Sequence, residues 1–568
     1  MQDDYIDDDT FPTEEELTTL RRVPAKIPLK VYTIAFVELC ERLSYYGTTA
    51  VYSNFIAKKN PGTSTGKAIN PGSDQAQPGA LGLGKQVSFS LTTFNAFWVY
   101  CTPLLGAYIA DTYLGRFKTI VLSVIVAEIG HIVLVASAAP SVIDKPHSAL
   151  GAFVIGLLVM GLGTGTFKPN ISPLIAEQIP QEKMRVETTK KGERVIIDPA
   201  ITATRLYNWF YFFINVGAIV GQISMAYAER YVGFYLSFLI PTIAFGICLP
   251  VLYFCKNWYI HTPPSGSVMG PAFKLLFMAL RKTPVKQWNK GGLWEKVRPS
   301  ALGPSKPAWM TFDDAWVDEV ARGFRACGVF FWMPIFWLAY RQMDSNLTNQ
   351  AATMQLHGVP NDIISNLDPL SIIIIVPIMD ILVYPAFRKF KINFSPVKKM
   401  TAGFIVASFA MTWAAVNQYY IYKTSGYYKT HDPDYLSPIN VWVMSGTYVL
   451  IGTSEIFASV TTLEYAYTKA PKNMRSLVQA VALFTNAFSA ALAQAWTPLT
   501  IDPLLVWNYA SVAIIAFITG ILFWFAYKNL DAEEDALNLL PTGHLGTTAQ
   551  AEDVERRMSV HVEEEKKI

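Results

Sequence analysis

Apolar runs long enough to cross a bilayer, separated mostly by short polar connections, set the layout of this chain. A spanning helix needs roughly 20 such residues. Stretches of that kind fall at 29–57, 87–110, 118–139, 148–176, 203–228 and 232–255, and again at 321–341, 364–387, 396–422, 438–467, 473–498 and 503–528. Between the two sets, residues 256–320 are rich in Lys, Pro and Gly and too polar to span. The pattern predicts an all-α integral membrane protein whose twelve transmembrane helices form two six-helix bundles. The expected parts are an N-terminal tail 1–28, an N-terminal bundle 29–255, a linker 256–320, a C-terminal bundle 321–529 and a disordered charged tail 530–568.

Loop charges set the orientation, because Lys and Arg accumulate on the cytoplasmic side. With both termini cytoplasmic, the inner loops collect clusters such as Lys183, Lys190 and Lys191, or Arg388, Lys389 and Lys391. The first outer loop, 58–85, is a Gly/Pro/Ser/Thr segment. Asn346-Leu-Thr348 falls on the outer side and is a candidate glycosylation site. Residues 272–281 alternate apolar and basic positions at helical spacing, which fits a helix lying on the inner membrane surface or one packed on the cytoplasmic face of the bundle. In the tail, 535–540 has the form of an acidic dileucine sorting signal.

Composition agrees: of 568 residues, 51% are hydrophobic and only 16% charged, which is a membrane composition. A net charge of +3 implies no nucleic-acid partner. The five cysteines show neither paired nor metal-ligand spacing and read as small core residues. The acidic start, 1–16, lacks the form of a cleavable signal, so the first apolar stretch serves for insertion.

Charges inside apolar stretches point to chemistry. Glu38, Glu41, Arg42, Tyr45, Tyr46 and Thr49 share one sector of a helix in the first stretch. Each charge at a bilayer centre costs about 2.5–3.5 kcal/mol unless it meets a partner or a wet cavity, so this face reads as an ion or substrate pathway. Lys168 is a lone ammonium in the fourth stretch and Glu455 a lone carboxylate deep in the tenth. They can supply two opposite poles for a ligand carrying an amine and a carboxylate, with Asn215 for its amides and aromatic side chains for its walls.

Gly106-Ala-Tyr-Ile-Ala-Asp111-Thr-Tyr-Leu-Gly115-Arg116-Phe-Lys118, between the second and third stretches, resembles the loop motif of the major facilitator superfamily. Glu38-x-x-Glu41-Arg42, Gly163-Thr-Gly-Thr-Phe-Lys168-Pro-Asn170, Phe212-Phe-Ile-Asn215-Val-Gly217 and the run from Thr462 to Ser476 together resemble the proton-coupled oligopeptide transporters. A short connection at 423–437 and Phe312-Asp-Asp-Ala-Trp-Val-Asp-Glu-Val320 are similar to the fungal branch.

The resemblance implies a proton-driven symporter that imports di- and tripeptides by alternating access, not an enzyme, with no cofactor, working as a monomer at the plasma membrane. It implies proton coupling at Glu38, Glu41 and Arg42, and substrate binding at Tyr46, Tyr100, Lys168, Tyr211, Asn215, Trp337, Glu455 and Ser459. It further implies gating by Asp111 and Arg116, with Lys168 facing the peptide carboxylate and Glu455 its amine. Where relatives pair an arginine on the first helix with an acid on the seventh, this chain has Thr49 and Arg341; Asp368 is the candidate anion for Arg341 in the gate. Two alternatives stay open: transport of nitrate or another small metabolite through the same scaffold, and a peptide sensor that moves nothing.

Overall fold

The computed structural model describes residues 5–7, 12–73, 76–178, 184–189, 192–197, 199–261, 263–264, 269–284, 292–307, 309–390, 394–432, 435–462, 465 and 475–528. The predicted disordered tail with its dileucine, and nearly all of the Thr462 to Ser476 run, lie outside them. Helix is found in every stretch marked by hydropathy, often as consecutive segments. After a short α1 (Glu14–Thr19) come α2 (Leu29–Ala50) and α3 (Tyr52–Ala57), α4 (Gly84–Ile109), α5 (Arg116–Ser137), α6 (Pro146–Glu177), α7 (Pro199–Tyr231), α8 (Phe234–Gly246) and α9 (Cys248–Cys255). Then follow α10 (Met269–Lys282), α11 (Asp314–Cys327), α12 (Met333–Tyr340), α13 (Asn346–Ala351), α14 (Leu367–Ile378), α15 (Pro396–Thr424), α16 (Ser445–Glu455), α17 (Arg475–Ala493) and α18 (Leu505–Tyr527).

Among the described residues, seven helical stretches are long and apolar enough to cross a membrane: Arg116–Ser137, Pro146–Ile175, Phe234–Trp258, Asp314–Ala351, Pro396–Thr424, Val441–Val460 and Leu505–Tyr527. The helices that fall short include α2, α4 and α7, which carry the ionic and polar residues. This is the expected cost of lining a polar interior with helix faces.

Two local features join α4 to its neighbours. The helix runs on through one π-turn, Ala110–Leu114, and stops at Gly115, whose φ of +75° suits a residue without Cβ and lets α5 start back at Arg116. Helices α5 and α6 approach so closely that a Cβ on Gly163 would lie 2.3 Å from the Ala127 nitrogen. Buried apolar residues form separate cores: two are drawn from residues 31–259, and one from 272–523 together with Phe89. Ala272, Leu275 and Ala279 of α10 belong to the last of these, so the helix predicted for 272–281 is packed onto the bundle through its small apolar face.

A four-stranded sheet at the terminal end of the molecule has no counterpart in the predicted layout. Strands β1 (Tyr5–Asp7), β2 (Arg22–Val23), β3 (Arg185–Thr189) and β4 (Arg194–Ile197) pair in the order β1-β3-β4-β2. The β3–β4 hairpin connects α6 to α7; β1 pairs antiparallel with β3, and β2 parallel with β4. Arg21–Glu193 and Arg194–Glu16 ion pairs fasten the tail to it.

The opposite end is closed by hydrogen bonds between residues 53–90 and residues 345–502. Ser88 Oγ lies 3.0 Å from Ser345 Oγ, Lys85 Nζ pairs with Asp502 Oδ2 at 2.7 Å, and Gln494 Nε2 donates to the Ser90 carbonyl at 3.0 Å.

Candidate functional site

The ionic face of α2 is buried. Arg42 Nε stands 3.0 Å from Glu38 Oε1 and Nη2 2.5 Å from Glu41 Oε2, with all three residues at most 7% exposed. Two carboxyls thus share one guanidinium, an arrangement whose charge balance changes when a proton arrives or leaves. His131 is also buried, but its Nε2 is engaged with Ser44 Oγ at 2.9 Å.

Beside this cluster is a cavity of about 310 Å³ between the two sets of helices. Tyr46, Thr49, Asn95, Tyr100, Asn215 and Gln222 line it from one side, and Tyr340, Arg341, Asp344, Asp368 and Glu455 from the other. Its acidic pole is a pair, Asp368 and Glu455: the Tyr340 hydroxyl lies 3.5 Å from Asp368 Oδ2, and Glu455 lines the same cavity. Asp368 Oδ1 and Glu455 Oε2 are buried without a partner, as are Asn95 Oδ1 and Gln222 Oε1. Unpaired acceptors of this kind are costly unless something else meets them; together they offer the cavity a set of hydrogen-bond acceptors with no donor among the described residues. At the other pole, Lys168 Nζ stands 4.6 Å from the Tyr45 ring centroid and 4.7 Å from that of Tyr100, while Arg341 Cζ is 5.4 Å from the same Tyr100 ring. One tyrosine is thus shared by two cations.

A family profile described as "PTR2: POT family" matches residues 117–515. Over 535 residues the chain is 42% identical to the "Probable peptide transporter ptr2" of Schizosaccharomyces pombe, covering 93% of this chain and 82% of that one. The chain belongs to the POT family. It is also 37% identical over 533 residues to "Peptide transporter PTR2" of Saccharomyces cerevisiae, with 93% and 84% of the two chains covered. These fungal relatives agree with the fungal-branch signature. The fold matches the crystal structure of an auto-inhibited POT family peptide transporter with a TM-score of 0.66 at 19% identity, covering 88% of this chain and 97% of that one.

Within this POT chain, the cavity brings together six of the residues expected to bind substrate or form the gate on its two sides: Tyr46, Tyr100, Asn215, Glu455, Arg341 and Asp368. Lys168 stands behind Tyr45 and Tyr100, outside the lining. Trp337 packs edge-on against Tyr340 with its Nε1 buried and unpartnered, and Ser459 is buried one turn past Glu455; neither reaches the cavity. Tyr211 is on α7, but its side chain is outside the described residues. Asp111 sits in the π-turn, and Arg116 pairs with Glu177 of α6.

Two expectations are corrected. The anion of Arg341 is Asp344, at 2.9 Å from Nη1, with Asn486 Oδ1 3.1 Å from Nη2; Asp368 is turned toward Tyr340 and Glu455 instead. The seventh apolar stretch carries on past Arg341 as a tight turn, so an acid three residues on is within reach while one across the bundle is not. Asn346 is 1% exposed and donates to Gln342 Oε1 at 2.8 Å, which leaves no room for a glycan. Sequence reasoning missed Tyr340, Asp344, Asn95 and Gln222, which are ordinary polar residues in isolation and gain significance only from sharing the cavity.

Proposed function

We propose that this protein imports di- and tripeptides together with protons by alternating access. In this reading twelve spans form halves 29–255 and 321–529, joined by the cytoplasmic linker 256–320. Both termini lie in the cytoplasm, and the protein works as a monomer in the plasma membrane. The segregated cores support the two halves, and the distribution of Lys and Arg supports the orientation. The terminal sheet then marks the inner side, and the closed end the outer side.

The observation that carries the reading is the cavity between the halves, acidic at Asp368 and Glu455, walled by tyrosines, and adjoining a buried Glu-Glu-Arg cluster. A peptide's amine meets the acidic pole, and its carboxylate turns toward Lys168 and Arg341 across Tyr100. Glu38 and Glu41 share Arg42, and one of them carries the transported proton. When a carboxylate draws on Lys168, the cation next to the cluster changes its allegiance, and the affinity for that proton changes with it. Each proton moving down 100 mV supplies about 2.3 kcal/mol, roughly a fiftyfold accumulation.

The test is uptake of labelled di- and tripeptides into proteoliposomes under an imposed pH gradient, with nitrate and free amino acids as controls. Accumulation above equilibrium that collapses with the gradient is expected. Absence of peptide-dependent proton flux, or uptake of nitrate alone, would overturn the reading.

A further inference from the structure

Among the contacts that close the outer end, one joins two acids. Asn54 of α3, Glu229 of α7, and Asn361 and Asp362 in the connection before α14 meet with exposures of 0%, 0%, 1% and 2%. Asn54 and Glu229 come from one half, Asn361 and Asp362 from the other. Asn54 Nδ2 lies 2.8 Å from Glu229 Oε1, 3.0 Å from Asn361 Oδ1 and 3.0 Å from Asp362 Oδ2. An amide nitrogen has two hydrogens for these three acceptors. Asn361 Nδ2 is already committed to Asn54 Oδ1 at 2.9 Å and to the Thr348 carbonyl at 3.3 Å. Glu229 Oε2 and Asp362 Oδ1 are buried with no donor. Both carboxyls therefore converge on the one Asn54 nitrogen, each with a buried oxygen left over, where a proton on one of them supplies the missing donor.

Two cations act on these acids electrostatically. Arg230, next to Glu229, donates its Nε to the Pro71 carbonyl and its Nη2 to that of Ser73, and its charge favours ionisation of Glu229. Lys58 acts on Asp362 electrostatically, and Tyr448 is the further titratable neighbour. Two like charges held this close in a dry interface cannot both ionise.

We propose that Glu229 and Asp362 form a second proton-binding site, separate from the helix-borne Glu38/Glu41/Arg42 cluster, which must take up one proton for the outer mouth to close. When the mouth opens, the acids part into water and the proton returns to the side it came from. It is therefore not carried across; it makes closure depend on external pH. For Asp362, in the connection outside the spanning helices, burial pushes the carboxyl up to about 7, against the opposing pull of its Glu229 hydrogen bond and Lys58. A solvated aspartate titrates near about 3.9. Burial raises Glu229 as well, so closure gains its full stabilisation below the open-state values and loses it as pH rises through the raised range of the pair. Between those limits the closed-to-open ratio falls about tenfold per pH unit, the signature of one linked proton.

The inference rests on the alternating-access reading, and its test needs no peptide. Spin labels at exposed Ile69 and Leu436, placed on the outer loops of opposite halves of the full-length protein after replacement of its five native cysteines, report the width of the mouth from pH 5 to 8.5. The unsubstituted pair should widen with rising pH at the one-proton slope. Asp362→Asn supplies an N–H to Glu229 without a proton, so the mouth should stay closed at pH 8 with the slope reduced at least threefold. Glu229→Gln should do the same from the other half, and serves if the first variant fails to fold. In a Glu38→Gln/Glu41→Gln background the native slope should persist. The proposal is overturned if either gate variant keeps the native slope, or if the slope disappears in the Glu38/Glu41 background. Absent peptide uptake would instead count against the transport reading and leave these distances interpretable.

Discussion

Arg42 is held by two carboxylates in a site from which water is nearly excluded, and each partner has a separate consequence when changed. Glu41→Gln removes one titrating group and keeps the shape. Uphill peptide accumulation should be lost while peptide exchange across the membrane continues, as checked by counterflow in proteoliposomes; undiminished accumulation would refute the coupling role. In the proposed reading Glu455 meets the amine of the peptide directly. Glu455→Gln should raise the KM for dipeptide uptake by about 10- to 100-fold, since hydrogen bonds to charged groups contribute roughly 1.5–3 kcal/mol. Both residues are visible in the sequence because a charge inside an apolar stretch is expensive and calls for a reason. Asp344 and Tyr340 are not visible in that way: Asp344 follows the end of an apolar stretch, where acids are common, and a tyrosine in a membrane helix has many ordinary uses.

At the scale of elements, the helices are set by apolar length and their spacing by small residues. With Gly163 pressed against the Ala127 backbone, Gly163→Val should separate α5 from α6. The expected result is a melting temperature lower by several degrees in detergent, as overpacking costs about 1–3 kcal/mol. The helices were legible from hydropathy, and the β-sheet was not. Its strands are two to five residues long, and β1 and β2 find their partners only through β3 and β4, far along the chain, so no local periodicity announces them. The amphipathic pattern at 272–281 identified a helix but left its partner open; the burial of Ala272, Leu275 and Ala279 assigns it to the bundle.

At the scale of the whole molecule, the hydrogen bonds between the halves among the described residues lie at the end remote from the sheet. Ser88 Oγ and Ser345 Oγ, 3.0 Å apart on opposite halves, should therefore approach and separate once per transport cycle. In a Ser88→Cys/Ser345→Cys variant on a cysteine-free background, mild oxidation should abolish peptide uptake and reductant should restore it. Uptake unaffected by oxidation, with the cross-link confirmed by mass, would exclude motion at this end.

The sheet that binds the tail to the connection between α6 and α7 also imposes an order in time. Tyr5 is paired with Thr189, so β1 leaves the ribosome about 180 residues before its partner exists. At a synthesis rate of about 5–20 residues per second, that is a wait of roughly ten to forty seconds. During that interval the helices up to α6 must enter the membrane while an acidic, unpaired tail waits. The tail can dock only after insertion has delivered β3 and β4, so a formed sheet is a late marker of correct assembly, and an N-terminal fusion partner acts on biogenesis before it can act on transport.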